Sequence, residues 1–354
     1  MPSRRTFFKQ SAGAVAGVLF AERGAGPPLH AQPATSRRQI MLGGRRVKTV
    51  DVHCHCIVPG ALELMGQPTP TNNPALIMGI DRLRQMDAQG IDVEAISINP
   101  TWYGVDRDTA GKVIAFQNAR LAEFCAAHAD RFVGFATVSL QHPDLAAEQL
   151  AEGMKMLGLR GGSIGASVNG EELASPKFDP FWAKAEELGA MLFMHPQGAP
   201  ELRTRLQGNG VLTNVIGNPL DTTIALSHLI FEGTLDRFPG LKICAAHGGG
   251  YLPSYVDRSD HGCVTFPEQC GKTLKKHPSE YFRQQLYVDS LIFTSEALRH
   301  LIAQCGVGQI MMGTDYPFPW TTTSVDHILN TPGLSDTEKA AILGENAVRL
   351  LRLS

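Results

Sequence analysis

Histidines and one aspartate follow short apolar runs of the sequence, at the positions where β-strands would end. His53 and His55 end the run VDVHCH, and His195 ends AMLFMH. His247 follows LKICAA, and Asp315 follows GQIMMGT. Imidazole and carboxylate groups together suit zinc or another divalent transition metal. An H-x-H pair alone is weak evidence, but such residues at four separate strand ends favour a metal site.

The spacing of His53 and His55 fits a metal site for a geometric reason. Side chains alternate between the two faces of a strand, so these two imidazoles point to the same side and can bind one ion together. Other histidines, such as His128, His228 and His300, fall within helical patterns and are not candidates.

Eight candidate strands alternate with helical patterns along the chain. The candidate strands are 48–53, 93–98, 132–138, 158–164, 190–195, 241–246, 286–289 and 308–312. The candidate helices are 78–89, 109–129, 143–156, 178–188, 219–232, 249–258, 294–304, 335–343 and 346–352. This pattern predicts an α/β fold, a (β/α)8 TIM barrel, in which the strand ends meet at one rim where functional residues collect. An open doubly wound sheet is the alternative, but no Gly-rich phosphate loop follows the first strand.

Composition limits the class of protein. Of the 354 residues, 43% are hydrophobic and 19% are charged, so the chain can bury a large core. The net charge of −2 gives no reason to expect nucleic acid as a partner. The seven cysteines are an odd number in a large domain, which argues against a disulfide framework. Cys263 and Cys270 lie close together in a loop-like region, and whether they pair stays open.

The first residues have the order of elements of an export signal. Arg4 and Arg5 precede the apolar run AGAVAGVLFA, which is too short to span a bilayer, since a spanning helix needs about 20 residues. This order predicts a signal peptide of the twin-arginine type over residues 1–31, and therefore a periplasmic location. Residues 32–47 are polar and basic and are predicted to be a linker, and residues 48–354 are predicted to be the barrel domain. No segment predicts a membrane span.

Five motifs resemble, in their order, those of the amidohydrolase superfamily: DVHCHC, MHPQG, AHGGGYLP, YVDS and GTDYPFP. They are most similar to the branch of 2-amino-3-carboxymuconate-6-semialdehyde decarboxylase and related aromatic-acid decarboxylases, over roughly residues 48–353. The resemblance implies a barrel of the metal-dependent hydrolase type with one divalent ion, Zn²⁺, or Mn²⁺ in some relatives. The ligands that it implies are His53, His55, His195 and Asp315.

The same resemblance implies roles for residues around the metal. His247 would be an acid–base group beside the metal-bound water and not a ligand, and Asp315 is also a candidate proton donor. Arg258 falls where the decarboxylase uses an arginine of the neighbouring subunit to bind a substrate carboxylate, which implies a homodimer. From their positions after the second and eighth strands, Trp102 and Phe318 are predicted to contact the substrate.

The sequence also departs from the decarboxylase pattern. The segment Cys56–Gly79 contains no arginine or lysine, and Gln197 stands where a tryptophan is usual. A substrate with one carboxylate, or a differently placed one, therefore fits better than a dicarboxylate. We predict a decarboxylase of a small aromatic or unsaturated carboxylic acid. The alternatives are a metal-dependent hydrolase or hydratase of a small lactone, amide or unsaturated acid, and a binding protein without catalysis.

Overall fold

The structure is a computed structural model that describes residues 37–208, 210–270 and 274–354. The predicted signal peptide, residues 1–31, lies outside the described residues. Within them, no helix combines the length and the apolar character that crossing a bilayer requires.

Eight parallel strands follow one another around a barrel in chain order. They are Val50–His55, Val93–Ser97, Phe132–Gly134 continued by Ala136–Thr137, Gly161–Gly165, Met191–His195, Lys242–Ala245, Leu286–Asp289 and Ile310–Met311. The chain after the eighth strand closes the barrel against the first, where the backbone N–H of Val52 donates to Met312 O at 2.9 Å and that of His55 donates to Tyr316 O at 2.7 Å. The predicted (β/α)8 barrel is confirmed.

Helices fill the connections between the strands. The α-helices are Leu83–Gln89, Arg107–Ala127, Pro143–Lys155, Asp179–Leu188, Asn218–Phe231, Thr234–Arg237, Val256–Thr265, Pro267–Cys270, Pro278–Gln284, Ser295–Cys305, Ser324–Asn330, Asp336–Ala340 and Asn346–Leu351. The 3₁₀ turns are Glu63–Met65, Pro74–Leu76, Ile80–Arg82, Pro176–Phe178, Pro200–Leu202, His247–Gly249, Leu252–Tyr255 and Val307–Gln309, and the π-turns are Thr213–Gly217 and Ala341–Glu345. Two short antiparallel strand pairs, Ile40–Leu42 with Arg45–Val47 and Ser167–Val168 with Glu171–Glu172, lie outside the barrel ladder.

A hydrophobic cluster fills the interior of the barrel below its rim. Val52, Phe135, Phe193 and Met311 belong to it and are fully buried. The last helix, Asn346–Leu351, packs against the first and eighth strands and adds its own apolar side chains to this cluster. A second, larger cluster lies between the strands and the surrounding helices. Because both layers are packed, the rim stands on a rigid base.

The prediction of a linker is wrong for residues 37–47, the part of it that the structure describes. Residues 40–47 form a β-hairpin, and Ile40 and Val47 are each only 3% exposed. Arg38 makes a bidentate ion pair with Asp326, which belongs to a helix of the barrel domain. The domain therefore begins before residue 48, because two apolar side chains that flank a Gly-Gly turn are drawn into the core.

The helix predicted over 249–258 begins later than expected. Gly248, Gly249 and Gly250 all adopt positive φ, which a continuous helix does not allow. A 3₁₀ turn, Leu252–Tyr255, then leads into the α-helix Val256–Thr265.

A disulfide joins Cys263 and Cys270, the pairing that the sequence left open. It links the end of one helix to the short helix that follows. The other five cysteines are buried and free, as expected for small apolar core residues.

Candidate metal centre

Four side chains from separate strand ends meet at the rim of the barrel. His53 and His55 end the first strand, His195 ends the fifth, and Asp315 follows the eighth. One ligand atom of each lies within 4.8 Å of the others, and all four residues are buried. The structure thus brings together the residues that were predicted to bind the metal.

The hydrogen bonds of the three imidazoles fix which nitrogen faces the centre. His53 Nδ1 lies 2.5 Å from an Asp289 carboxylate oxygen, and His195 Nδ1 lies 2.9 Å from the carbonyl oxygen of Pro196. Both partners only accept, so each Nδ1 donates. The Ser97 hydroxyl gives its one proton to a backbone carbonyl and therefore accepts from His55 Nδ1 at 2.9 Å. All three Nε2 atoms are left to face the same point.

The spacing of these atoms requires positive charge between them. His53 Nε2 and His55 Nε2 are 3.1 Å apart, and Asp315 Oδ1 lies 3.2 Å and 3.0 Å from them. Ligands bonded at about 2.1 Å to one ion are separated by roughly 3.0–3.4 Å. His195 Nε2 and Asp315 Oδ1 are buried without a hydrogen-bond partner among the described residues. One shared proton cannot bond to all three Nε2 atoms and to Asp315 Oδ1 at once, but one divalent cation can.

The ionisation of the four groups suits ligands of a cation. Burial lowers the pKa of His55 to about 4 and holds that of His195 well below its usual range, so both are neutral. Burial opposes the charge on Asp315, but the positive charge of the neighbouring His53 holds the pKa of Asp315 well below normal. Burial also lowers the pKa of His53, but Asp315 and Asp289 outweigh it and raise the value to about 10. A metal ion bound to His53 Nε2 would take the place of that extra proton.

Asp289 is a functional residue to which the sequence analysis gave no role. It ends the seventh strand, is fully buried, and accepts from His53 Nδ1. The same carboxylate accepts from the backbone N–H groups of His247, Gly248 and Leu291 at 2.9, 2.8 and 3.0 Å. The signal was present in the sequence, since YVDS places an acid at a strand end like the ligands themselves.

His247 stands beside the ligand set without belonging to it. Its backbone has a positive φ of 58° and is held by Asp289. Its Nε2 lies 3.6 Å from Asp315 Oδ2, and its side chain is 14% exposed, so it faces the open mouth. This position suits a group that exchanges protons with a bound substrate.

Buried polar contacts hold the first-strand histidines from behind. Arg82 donates to His55 O at 2.7 Å and to Glu94 at 2.9 Å, and its guanidinium lies over the ring of Tyr316 at 4.7 Å. Asp51, whose carboxylate lies close to that of Glu94, accepts from the backbone N–H of His53 at 3.0 Å. Such support fixes the orientation of the ligands.

Comparison with known proteins agrees with this geometry. The sequence profile described as Amidohydrolase matches residues 50–353. The chain belongs to the amidohydrolase family. This amidohydrolase is 30% identical to 2-amino-3-carboxymuconate-6-semialdehyde decarboxylase of Dictyostelium discoideum over 280 residues, which are 77% of this chain and 76% of the relative. It is also 30% identical to gamma-resorcylate decarboxylase of Rhizobium sp. (strain MTP-10005), over 77% of this chain and 86% of that protein.

Solved structures of decarboxylases share the fold. The amidohydrolase superposes on 5-carboxyvanillate decarboxylase from Sphingomonas paucimobilis with a TM-score of 0.80 at 25% identity, covering 87% of this chain and all of that one. For 2,6-dihydroxybenzoate decarboxylase in complex with 2,6-dihydroxybenzoate, the TM-score is 0.77 at 26% identity, with 87% and 100% covered. The chain is accordingly an enzyme of the carboxy-lyase class. Its metal site takes one divalent ion.

The residues predicted to contact the substrate lie in three different settings. Phe318 is 37% exposed, and its ring centre lies 6.0 Å from that of His55, at the mouth. Trp102 is fully buried, and its Nε1 donates to Val138 O at 2.8 Å, so it supports the wall as a core residue and does not reach the substrate. Arg258 is exposed on the helix Val256–Thr265 and lines neither of the cavities beside the metal centre.

Two cavities open beside the metal centre of the amidohydrolase. One, of about 380 Å³, lies next to His55 and Phe318. The other, of about 440 Å³, lies next to His247 and is walled by Phe293 and Trp320, whose ring centres are 5.9 Å apart. Among the described residues, neither wall contains a lysine or arginine. Both cavities have the size of ligand pockets.

Proposed function

We propose that the enzyme decarboxylates a small aromatic acid, or a similar unsaturated acid, that carries a single carboxylate. The observation that supports this is the composition of the two cavities beside the metal centre, whose described walls contain no lysine or arginine. A second carboxylate on the substrate would lose its hydration there without gaining a partner, which is costly. Their apolar walls suit a ring instead.

The residues around the metal have distinct roles in this proposal. His53, His55, His195 and Asp315 hold the ion. When bound, a divalent ion stabilises negative charge that develops on a substrate oxygen. The carbon that loses CO₂ must take up a proton, and we assign the delivery of that proton to Asp315. His247, 3.6 Å from Asp315, is the acid–base group that exchanges protons with it.

We propose zinc as the metal, with manganese as the alternative. The ligand set consists of three imidazole nitrogens and one carboxylate, and zinc is commonly bound by such N and O ligands in sites that keep a position open for water or substrate. Manganese prefers sites that are richer in oxygen. Elemental analysis of protein purified without added metal, followed by reconstitution with each ion, decides between them.

We further propose that the enzyme is a homodimer in which Arg258 of a second copy completes the active site. Arg258 is exposed and lines neither cavity beside the metal centre of its own chain, and an arginine in that position is available to the substrate of a neighbouring chain. Mixing an Arg258→Ala variant with a His247→Gln variant tests this. Regained activity in the mixture supports shared sites, whereas two inactive proteins that stay inactive contradict them.

Export to the periplasm by the twin-arginine route is also our proposal. The disulfide between Cys263 and Cys270 is of the kind that persists in an oxidising compartment, which supports it. An Arg4→Lys/Arg5→Lys variant should remain unprocessed and inside the cell. Normal processing of that variant would contradict this route.

The reaction itself is tested by measuring CO₂ release. We expect the metal-loaded enzyme to release CO₂ from members of a panel of hydroxybenzoates and unsaturated acids. A parallel panel of lactones, amides and esters tests the hydrolase alternative. Turnover of the second panel without any CO₂ release from the first would contradict the proposal.

A further inference from the structure

We propose that the cavity beside His55 is a specificity subsite, in which Gln117 and Asn99 recognise an uncharged hydrogen-bonding substituent on the substrate. This inference rests on the proposed function, since it concerns the substrate of the same reaction.

Unpaired polar atoms in the wall of this cavity support the subsite. Gln117 is only 3% exposed, and its Nε2 is buried without a hydrogen-bond partner among the described residues. Asn99 Oδ1 is also buried without a hydrogen-bond partner among the described residues. Both residues line the same cavity as the metal ligand His55. A buried polar atom without a partner destabilises the fold, so one such donor and one such acceptor at the same cavity indicate a missing polar ligand.

The neighbouring residue of the same helix shows what a structural amide looks like in this protein. Asn118 Nδ2 donates to Thr137 O at 3.0 Å, and Asn118 Oδ1 accepts from the backbone N–H and the hydroxyl of Thr137 at 2.8 and 2.9 Å. Every polar atom of that side chain is therefore used within the fold. Gln117 has comparable burial, but its Nε2 has no such partner among the described residues and is free to pair with a group bound in the cavity.

The rest of the cavity wall determines the charge of the group that fits. Most of it is apolar, including Ile57, Leu62, Leu76, Ile98 and Phe318. With no lysine or arginine in the described wall, a charged substituent would be desolvated without a counter-charge. A hydroxyl can both donate and accept, and so it can pair with an amide on either side.

The first test compares substrates in the wild type and in Gln117→Met. Methionine keeps the length of the side chain and favours helix, but it cannot replace the amide hydrogen bonds. We measure kcat/KM for 2-hydroxybenzoate and for four dihydroxybenzoates that carry the second hydroxyl at successive ring positions. We expect the wild type to prefer at least one dihydroxybenzoate over 2-hydroxybenzoate by about 10-fold or more, and we expect the ratio of these two kcat/KM values to fall towards 1 in the variant.

Two further variants separate the subsite from general damage. Asn99→Ala should reduce the same preference, and it serves if Gln117→Met does not fold. Asn118→Ala should lower the unfolding temperature but leave the ratio of kcat/KM values unchanged. An unchanged ratio in both Gln117→Met and Asn99→Ala would overturn the subsite.

A binding measurement separates failure of the subsite from failure of the proposed reaction. Calorimetric titration of the metal-loaded enzyme with benzenediols and phenol requires no turnover. If no acid is decarboxylated but a benzenediol binds the wild type about 10-fold more tightly than Gln117→Met, the reaction is wrong and the subsite stands. If acids are decarboxylated and all proteins bind the diols equally, the reaction stands and the subsite is wrong.

Discussion

Asp289 Oδ2 lies 2.5 Å from Nδ1 of His53, and the same carboxylate accepts hydrogen bonds from the backbone of His247 and Gly248. One fully buried acid at the end of the seventh strand thus fixes the orientation of a metal ligand. It also fixes the turn that carries the acid–base histidine. The metal centre and the proton-transfer group are therefore positioned by the same side chain.

Replacing Asp289 with asparagine should weaken metal binding without removing a ligand. The neutral amide stabilises the His53 Nδ1–H less well and cannot accept all of the hydrogen bonds that the carboxylate accepts. We expect metal affinity to fall about 10–100-fold, measured by competition with a chelator. Asp236→Asn is the matched control. Asp236 accepts a hydrogen bond from the Tyr281 hydroxyl and is not part of the metal centre. Equal affinity in the wild type and Asp289→Asn would show that Asp289 has no part in positioning the ligand.

Replacing His247 with glutamine should separate metal binding from turnover. The ligand atoms do not include those of His247, so metal content should stay at the wild-type level. The rate of CO₂ release should fall by about 10²–10⁴-fold, since the acid–base group is lost. Metal content and rate are measured on the same sample. A variant that loses its metal, or that keeps its full rate, contradicts the assignment.

Removing the metal should lower the stability of the whole barrel. Without an ion, His195 Nε2 and Asp315 Oδ1 stay buried and unpaired. An ion present at 100 times its Kd adds about 2.7 kcal/mol to the free energy of unfolding, so the unfolding temperature should rise with metal concentration. The His195→Ala variant is the control and should respond much less. An unfolding temperature that ignores metal in the wild type would count against the site.

The buried ion pair behind His55 should matter more than an exposed pair. Arg82→Met leaves the carboxylate of Glu94 buried and unpaired, which costs about 3–5 kcal/mol in free energy of unfolding. The double variant Arg82→Met/Glu94→Gln should recover part of that loss. Arg107→Met breaks a solvent-exposed pair with Asp144 and should cost no more than about 1 kcal/mol. Denaturant unfolding gives the three values, and equal losses at Arg82 and Arg107 would contradict the role given to burial.

The ligand set was predictable because it depends on two simple regularities. Strand side chains alternate, which puts His53 and His55 on one side, and parallel strands end at the same rim, which adds His195 and Asp315. Apolar runs of the right length located all eight strands. These signals are local in the sequence, and closure of the barrel brings the four side chains into one site.

The roles of the remaining residues depend on contacts between distant parts of the chain. Asp289 acts on His53 across 236 positions of sequence, and only the closed barrel brings the two together. Trp102 follows a strand end like the functional residues, but its ring turns into the core. The hairpin over residues 40–47 was predicted to be a linker because its arginines make the segment polar overall. Its two apolar side chains that pack inward were therefore not recognised. The unpaired amide of Gln117 could not be told from its paired neighbour Asn118 before their contacts were known.

The most direct measurement is the metal content of the purified protein beside that of the variant His53→Ala/His55→Ala. Elemental analysis should find close to one divalent ion per wild-type chain after reconstitution, and almost none in the variant, while circular dichroism shows that both are folded. Equal metal content in the two folded proteins, or none in the reconstituted wild type, would contradict a metal centre built from these four strand ends.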